Sequence, residues 1–123
     1  LVVMTIQYQE LYEYGIPAAQ RQYFRKYARM GAQIVMGSQA HQPQGFGFSE
    51  DTFIHYGIGN LFFDQMWSVG TRQMFADKLI LYDGRHIGTV LFTGLLEDFS
   101  RPRPMTEAER AAFLGTIFAV SDW

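Results

Sequence analysis

Three histidines, His41, His55 and His86, carry most of the proton and metal chemistry available to this chain, which has no cysteine. His41 stands in a polar loop, residues 37–44, together with Ser38, Gln39, Gln42 and Gln44. The loop follows the apolar run Ile34-Val35-Met36, and polar groups at the end of a buried strand are a common way for α/β folds to build a site. His41 is therefore the candidate ligand or general acid/base. His55 lies in a short apolar run, where a hydrogen-bonded structural histidine is expected. His86 borders an Asp-Gly turn and is expected on an exposed strand. Ser38, His41 and Asp64 can be written as a triad, but no Gly-x-Ser-x-Gly elbow supports it. Glu10, Glu13, Glu50 and Asp64 offer carboxylates whose separation the sequence leaves open.

The amides are the second chemical resource. Gln7, Gln9, Gln39, Gln42, Gln44 and Gln65 are either ordinary loop composition or a hydrogen-bonding pocket for a polar ligand such as a peptide or sugar. Gln39 and His41 would share a face if the segment were extended. As a metal pair they are weak, because zinc and manganese prefer His, Asp or Glu.

The elements that must position these groups follow from pattern. Residues 1–6 and 33–36 read as strands, separated by a glycine-free helix over 17–30 that starts at Pro17 and ends at Gly31. This is a βαβ unit with a parallel strand pair, which brings Gln7, Tyr8 and Glu10 beside Ser38, Gln39 and His41. On the helix, Tyr23, Phe24, Tyr27 and Ala28 form one apolar face, while Arg21, Arg25, Lys26 and Arg29 form a solvated one. Residues 45–48 and 53–56 read as a hairpin. In the run that follows, Gly57, Gly59 and Asn60 suggest backbone closed to residues with a Cβ. Residues 67–73 read as loop. Asp83-Gly84 joins strands over 74–82 and 86–96, one side of which, with Phe75, Asp77 and Leu79, is expected to be covered. Arg101-Pro102-Arg103-Pro104 reads as an extended linker. Thr106 and Glu109 form a capping box for a helix over 108–120, with Phe113, Leu114, Ile117, Phe118 and Val120 as a wide apolar face.

Composition bounds the function class. A chain of 123 residues, 48% hydrophobic and 18% charged, is one globular domain. The net charge of −2 gives no basic footprint for nucleic acid. No apolar run is long enough for a membrane span. Absence of cysteine excludes disulfides and thiol chemistry, yet fixes no compartment. Because the sequence opens inside the apolar run Leu1-Val2-Val3-Met4, it is expected to be the C-terminal part of a larger domain.

Three segments in order resemble the CapA-type capsule-synthesis proteins, a family associated with poly-γ-glutamate capsule production. Residues 31–44 resemble its conserved segment. Residues 54–65, His55-Tyr56-Gly57-Ile58-Gly59-Asn60 onward, resemble its second signature. Residues 3–10 resemble the strand ending in its His-Trp-Gly-x-Glu type motif. The resemblance covers residues 3–65 and implies an α/β, α+β layered fold: the C-terminal part of a calcineurin-like metallophosphoesterase αββα sandwich. It also implies synthesis, export or hydrolysis of a cell-surface polymer in a bacterium, at the cell envelope or in the cytoplasm. A non-catalytic polymer- or partner-binding module on the same fold is the alternative.

The departures from the family pattern fall on metal ligands. Gln7 stands where the first motif carries a histidine. The Gly-His-His-Pro-His type segment is Gly37-Ser38-Gln39-Ala40-His41 here, which leaves only His41 as a metal ligand. The fold also takes ligands from an N-terminal half. A divalent metal (Mn, Zn or Mg) is thus implied for the full-length protein and not for these residues alone. The resulting candidates are His41, Glu10 and Asp64 for catalysis, and Gln7, Ser38, Gln39 and Asn60 for binding a polar polymer or small molecule.

Overall fold

The computed structural model describes residues 1–99 and 101–123. Strand β1 (Val3–Gln7) leads through helix α1 (Ala18–Arg29) to β2 (Ile34–Ser38), and β1 and β2 pair in parallel. The expected βαβ unit is therefore present, with Gln7 opposite Ser38 at its polar end. Strands β3 (Phe46–Ser49) and β4 (Thr52–His55) form the expected hairpin, and β4 pairs parallel to β2. The sheet order is β1-β2-β4-β3.

Helix α1 begins just after Pro17, which occupies the cap position and offers no side-chain acceptor. It ends where Gly31 takes φ +99°, a conformation that costs glycine little. Phe24 drops from α1 into a cluster with Ile6, Ile16, Val35, Ile54 and Tyr56. This cluster fills the space between α1 and one face of the sheet. The cationic face of α1 is not wholly solvated as the sequence suggested. Arg21 and Arg25 both reach Asp122, at 2.9 and 2.5 Å. Such a contact, 97 residues apart for Arg25, leaves no local trace in the sequence.

A second sheet, order β5-β6-β7, covers the other face of the first. Strands β5 (Gln73–Tyr82) and β6 (Arg85–Glu97) form the Asp-Gly hairpin. Asp83 at φ 47° and Gly84 at φ 71° give the two positive φ values that a type I′ turn requires. Phe75 and Leu79 point inward, with Ala76, Lys78 and Ile80 exposed, so the expected one-sided covering holds. His86 departs from its expected exposure. It is half-buried, 5.5 Å from the Phe53 ring, and bonded to Thr89 at 2.8 Å.

Residues 101–104 are not a linker but strand β7 (Arg101–Pro104), paired to the free edge of β6. An edge strand tolerates proline because only alternate residues need donate to the ladder. The segment 67–73, read as loop, contains a one-turn helix, α2 (Val69–Arg72), capped by Ser68. Helix α3 (Glu107–Val120) starts at the expected capping box, in which Thr106 and Glu109 satisfy each other's backbone N–H. Its buried face is narrower than expected: Phe113 and Ile117 are buried, while Phe118 is exposed. Phe113 and Ile117 join Ile34, Phe46, Phe53 and Phe75 in a second core cluster between the sheets. The result is a mixed, layered α/β fold. Helix α3 contributes to the intersheet core, and the outer face of β5 and β6 keeps Ile80, Val90 and Phe92 exposed.

Candidate functional site

The parallel pairing of β1 and β2 sets the site at their polar ends. Gln7 Nε2 donates to Gln39 Oε1 at 2.6 Å across the strand ends. Tyr8 N–H extends the ladder to the Ser38 carbonyl at 3.4 Å. Gln39 then takes φ 81°, a left-handed conformation unusual for a residue with a side chain. Backbone held this way is often found at functional sites. It also ends the extended run, so Gln39 and His41 do not share a face as the i, i+2 spacing suggested. Gln39 bonds to Gln7, and His41 meets Asn60, Tyr12 and Phe63.

His41 is nearly buried and held from several sides. Its backbone N–H donates to the Leu11 carbonyl at 2.8 Å. Its ring stacks on Tyr12 at 5.0 Å and lies 5.2 Å from Phe63. Its Nδ1 is 2.9 Å from Asn60 Oδ1, and its Nε2 is 3.7 Å from Glu10 Oε1.

The orientation of Asn60 decides which ring nitrogen carries the proton. Asn60 Nδ2 donates to the Thr71 carbonyl at 3.0 Å and to Gln65 Oε1 at 3.3 Å. A carbonyl only accepts, so the NH2 must face Thr71 and the amide oxygen must face His41. An amide oxygen also only accepts, so His41 Nδ1 must be the N–H. In the neutral ring the lone pair is therefore on Nε2, turned toward Glu10. At 3.7 Å the carboxylate is beyond hydrogen-bond range and leaves that lone pair available.

The other sequence candidates divide. At the strand ends Gln7 pairs with Gln39, and Asn60 and Glu10 meet His41. Ser38 is exposed beside them, with its hydroxyl 3.5 Å from the Ile6 carbonyl and not bonded to His41. Asp64 is exposed, and its backbone carbonyl accepts from Met66 N–H at 2.9 Å. His41 bonds to Asn60 instead, with Glu10 3.7 Å away, so the Ser38–His41–Asp64 triad is not assembled. Gln44 is not a pocket amide. It is fully buried, donating to the Gly15 carbonyl and exchanging hydrogen bonds with Gln20.

Sequence reasoning missed the aromatic walls, Tyr12 and Phe63, and Trp67 beyond them, 5.4 Å from Tyr12 and 65% exposed. It also missed Thr71, whose buried backbone orients Asn60. The exposed run Leu61-Phe62-Phe63 was the available signal.

A divalent metal needs several His, Asp or Glu donors converging on one point. Among the described residues no group of three or more such side chains does so. His41 Nε2 and Glu10 supply two, and the neighbouring Gln7 and Gln39 amides are already paired to each other. These residues alone offer too few donors to hold a divalent metal.

His55 has the structural role expected of it, with a partner the sequence did not suggest. Its Nδ1 lies 2.5 Å from Asp77 Oδ2, and both side chains are fully buried. The pair joins β4 of one sheet to β5 of the other, within the rings of Phe46 and Phe75.

Residues 1–65 match the family model of the bacterial capsule synthesis protein PGA_cap, more than half of the 123-residue chain. No curated protein matches the chain.

Proposed function

The chain belongs to the bacterial capsule synthesis protein family PGA_cap, and we propose that its strand-end site binds a polar cell-surface polymer such as poly-γ-glutamate, with His41 as the group that moves a proton. The observation that carries this reading is the fixed ring of His41. Asn60 holds the N–H on Nδ1, and the Nε2 lone pair is turned toward Glu10. A lone pair so placed accepts a proton from a water or from an N–H or O–H of the ligand. The imidazolium that results is stabilised by the Glu10 carboxylate. Tyr12 and Phe63 flank the ring and limit its contact with water. Gln7 Oε1 and Gln39 Nε2 remain for the amides of a ligand, and exposed Ser38 adds a hydroxyl.

A second reading is binding without turnover. It is favoured by the two-carboxamide pair at the strand ends, which suits recognition of a chain of amides better than bond cleavage. The two readings separate in the full-length protein. Polymer binding and γ-glutamyl bond cleavage are measured for wild type, His41→Ala and Gln7→Ala. On the catalytic reading, His41→Ala keeps binding within about threefold and loses turnover by about 100-fold or more. Absence of turnover in wild type, with binding weakened by Gln7→Ala, favours the binding module. Turnover unchanged in His41→Ala contradicts the role given to His41.

A further inference from the structure

The outer edge of β3 is occupied by the segment 121–123, which follows α3. Asp122 N–H donates to the Phe46 carbonyl at 2.7 Å, and Phe46 N–H donates to Ser121 Oγ at 2.9 Å. Gly47 and Asp122 are bridged in parallel. The Asp122 carboxylate is gripped by two arginines of α1, Oδ1 by Arg21 at 2.9 Å and Oδ2 by Arg25 at 2.5 Å. Trp123 lies over Phe118 and Phe48, at 5.7 and 6.4 Å. A three-residue stretch carrying one side-chain carboxylate thus sits on a strand edge in the way a bound peptide adds a strand to a sheet.

Two features indicate a receptor for such a stretch and not a simple surface ion pair. Gly45 and Gly47 leave room for its backbone: a Cβ on Gly45 would lie 2.8 Å from Ser121 Oγ, and one on Gly47 would lie 3.3 Å from the Asp122 carbonyl oxygen. The site also holds donors that Asp122 leaves unused. Tyr56 is fully buried, with its hydroxyl beside Arg25 and 3.2 Å from that same Gly47 position, and among the described residues neither that hydroxyl nor the buried Arg25 Nε makes a well-aligned hydrogen bond. Side chains of Arg21 and Arg25 are 33% and 39% exposed, so a carboxylate reaches them from solvent.

We propose that the β3 edge, with Arg21, Arg25 and Tyr56, is a docking site for an extended acidic peptide, and that the segment 121–123 is its internal ligand. The occupant is a protein segment of ordinary α-linkage. The ladder contact with Phe46 needs peptide groups at strand spacing, and a γ-linked glutamyl chain places more atoms between successive amides and falls out of step. The site is therefore separate in place and in ligand from the strand-end site that holds His41.

The test is fluorescence anisotropy with a labelled Val-Ser-Asp-Trp peptide against the full chain. Asp122→Pro removes both the ladder N–H and the carboxylate, which frees the edge while leaving Arg21 and Arg25 in place. Asp122→Asn removes only the charge and guards against misfolding of the proline variant. Asp122→Pro is expected to bind the peptide at least tenfold more tightly than wild type, and Asp122→Asn to a smaller degree. Adding Arg21→Ala and Arg25→Ala to either variant abolishes the gain. Equal binding by wild type and both variants overturns the proposal. So does equal affinity for a γ-linked tetraglutamate and its α-linked counterpart.

Discussion

At the scale of single residues, the two buried histidines are distinguished by what their second nitrogen faces. His41 keeps Nε2 toward an exposed carboxylate at the protein surface. His55 keeps Nε2 in the core, without a partner among the described residues, and gives Nδ1 to Asp77. The first arrangement suits proton transfer, and the second suits fastening. Breaking a buried pair by removing one partner leaves the other polar group stranded, at a cost of roughly 3–5 kcal/mol. Asp77→Ala is therefore expected to destabilise the fold by about that amount, read as a lower urea midpoint with unchanged slope. A change below about 1 kcal/mol would show that the pair does not hold the sheets together. His41 could be singled out from sequence because it ends a strand in a polar loop. Asp77 could not be paired with His55, because it lies 22 residues away in a run whose alternation reads as an ordinary strand.

Among the elements, those with local signals were legible and those defined by distant partners were not. Pro17 and Gly31 bound α1, Asp83-Gly84 turns the β5–β6 hairpin, and Thr106 with Glu109 starts α3. Strand β7 was hidden by its two prolines, which read as a linker until the edge of β6 is there to pair with. The junction of β7 and α3 is also where charge matters most. Arg103 clamps Glu109 with two parallel bonds, 2.7 and 2.8 Å, and its Nε reaches Glu97 at 2.8 Å. Hydrogen bonds from Arg103, then from the Thr106 backbone, pull the Glu109 carboxyl down from its ordinary 4.5 to about 2. A lowered carboxyl pKa favours folding above the unfolded value, and the benefit fades as pH falls toward the folded one. The melting-temperature advantage of wild type over Glu109→Gln should thus be level above about pH 5 and shrink between pH 4.5 and 2. An advantage that grows on acidification would contradict the clamp. Both groups are partly open to solvent, so the advantage is also expected to fall with added salt.

The whole molecule is needed to make the strand-end site. Glu10 comes from the loop after β1, His41 from the loop after β2 and Asn60 from the segment after β4. Thr71 comes from α2, which β5 continues. The family segment 1–65 contains three of the four, and Thr71 lies beyond it. The loop holding His41 was visible in the sequence as the chemical centre. Its wiring was not, because the orientation of Asn60 depends on a backbone carbonyl that only the folded chain brings near. The state of the His41 ring therefore reports whether the account of the site is right. Long-range proton–nitrogen NMR correlation of the imidazole rings in the folded, uniformly nitrogen-15-labelled chain reads it directly, above the pH at which the ring deprotonates. Neutral His41 is expected to carry its proton on Nδ1, and Asn60→Ala to release this preference. A neutral His41 protonated on Nε2 in the wild-type chain would contradict it, since no lone pair would then face Glu10.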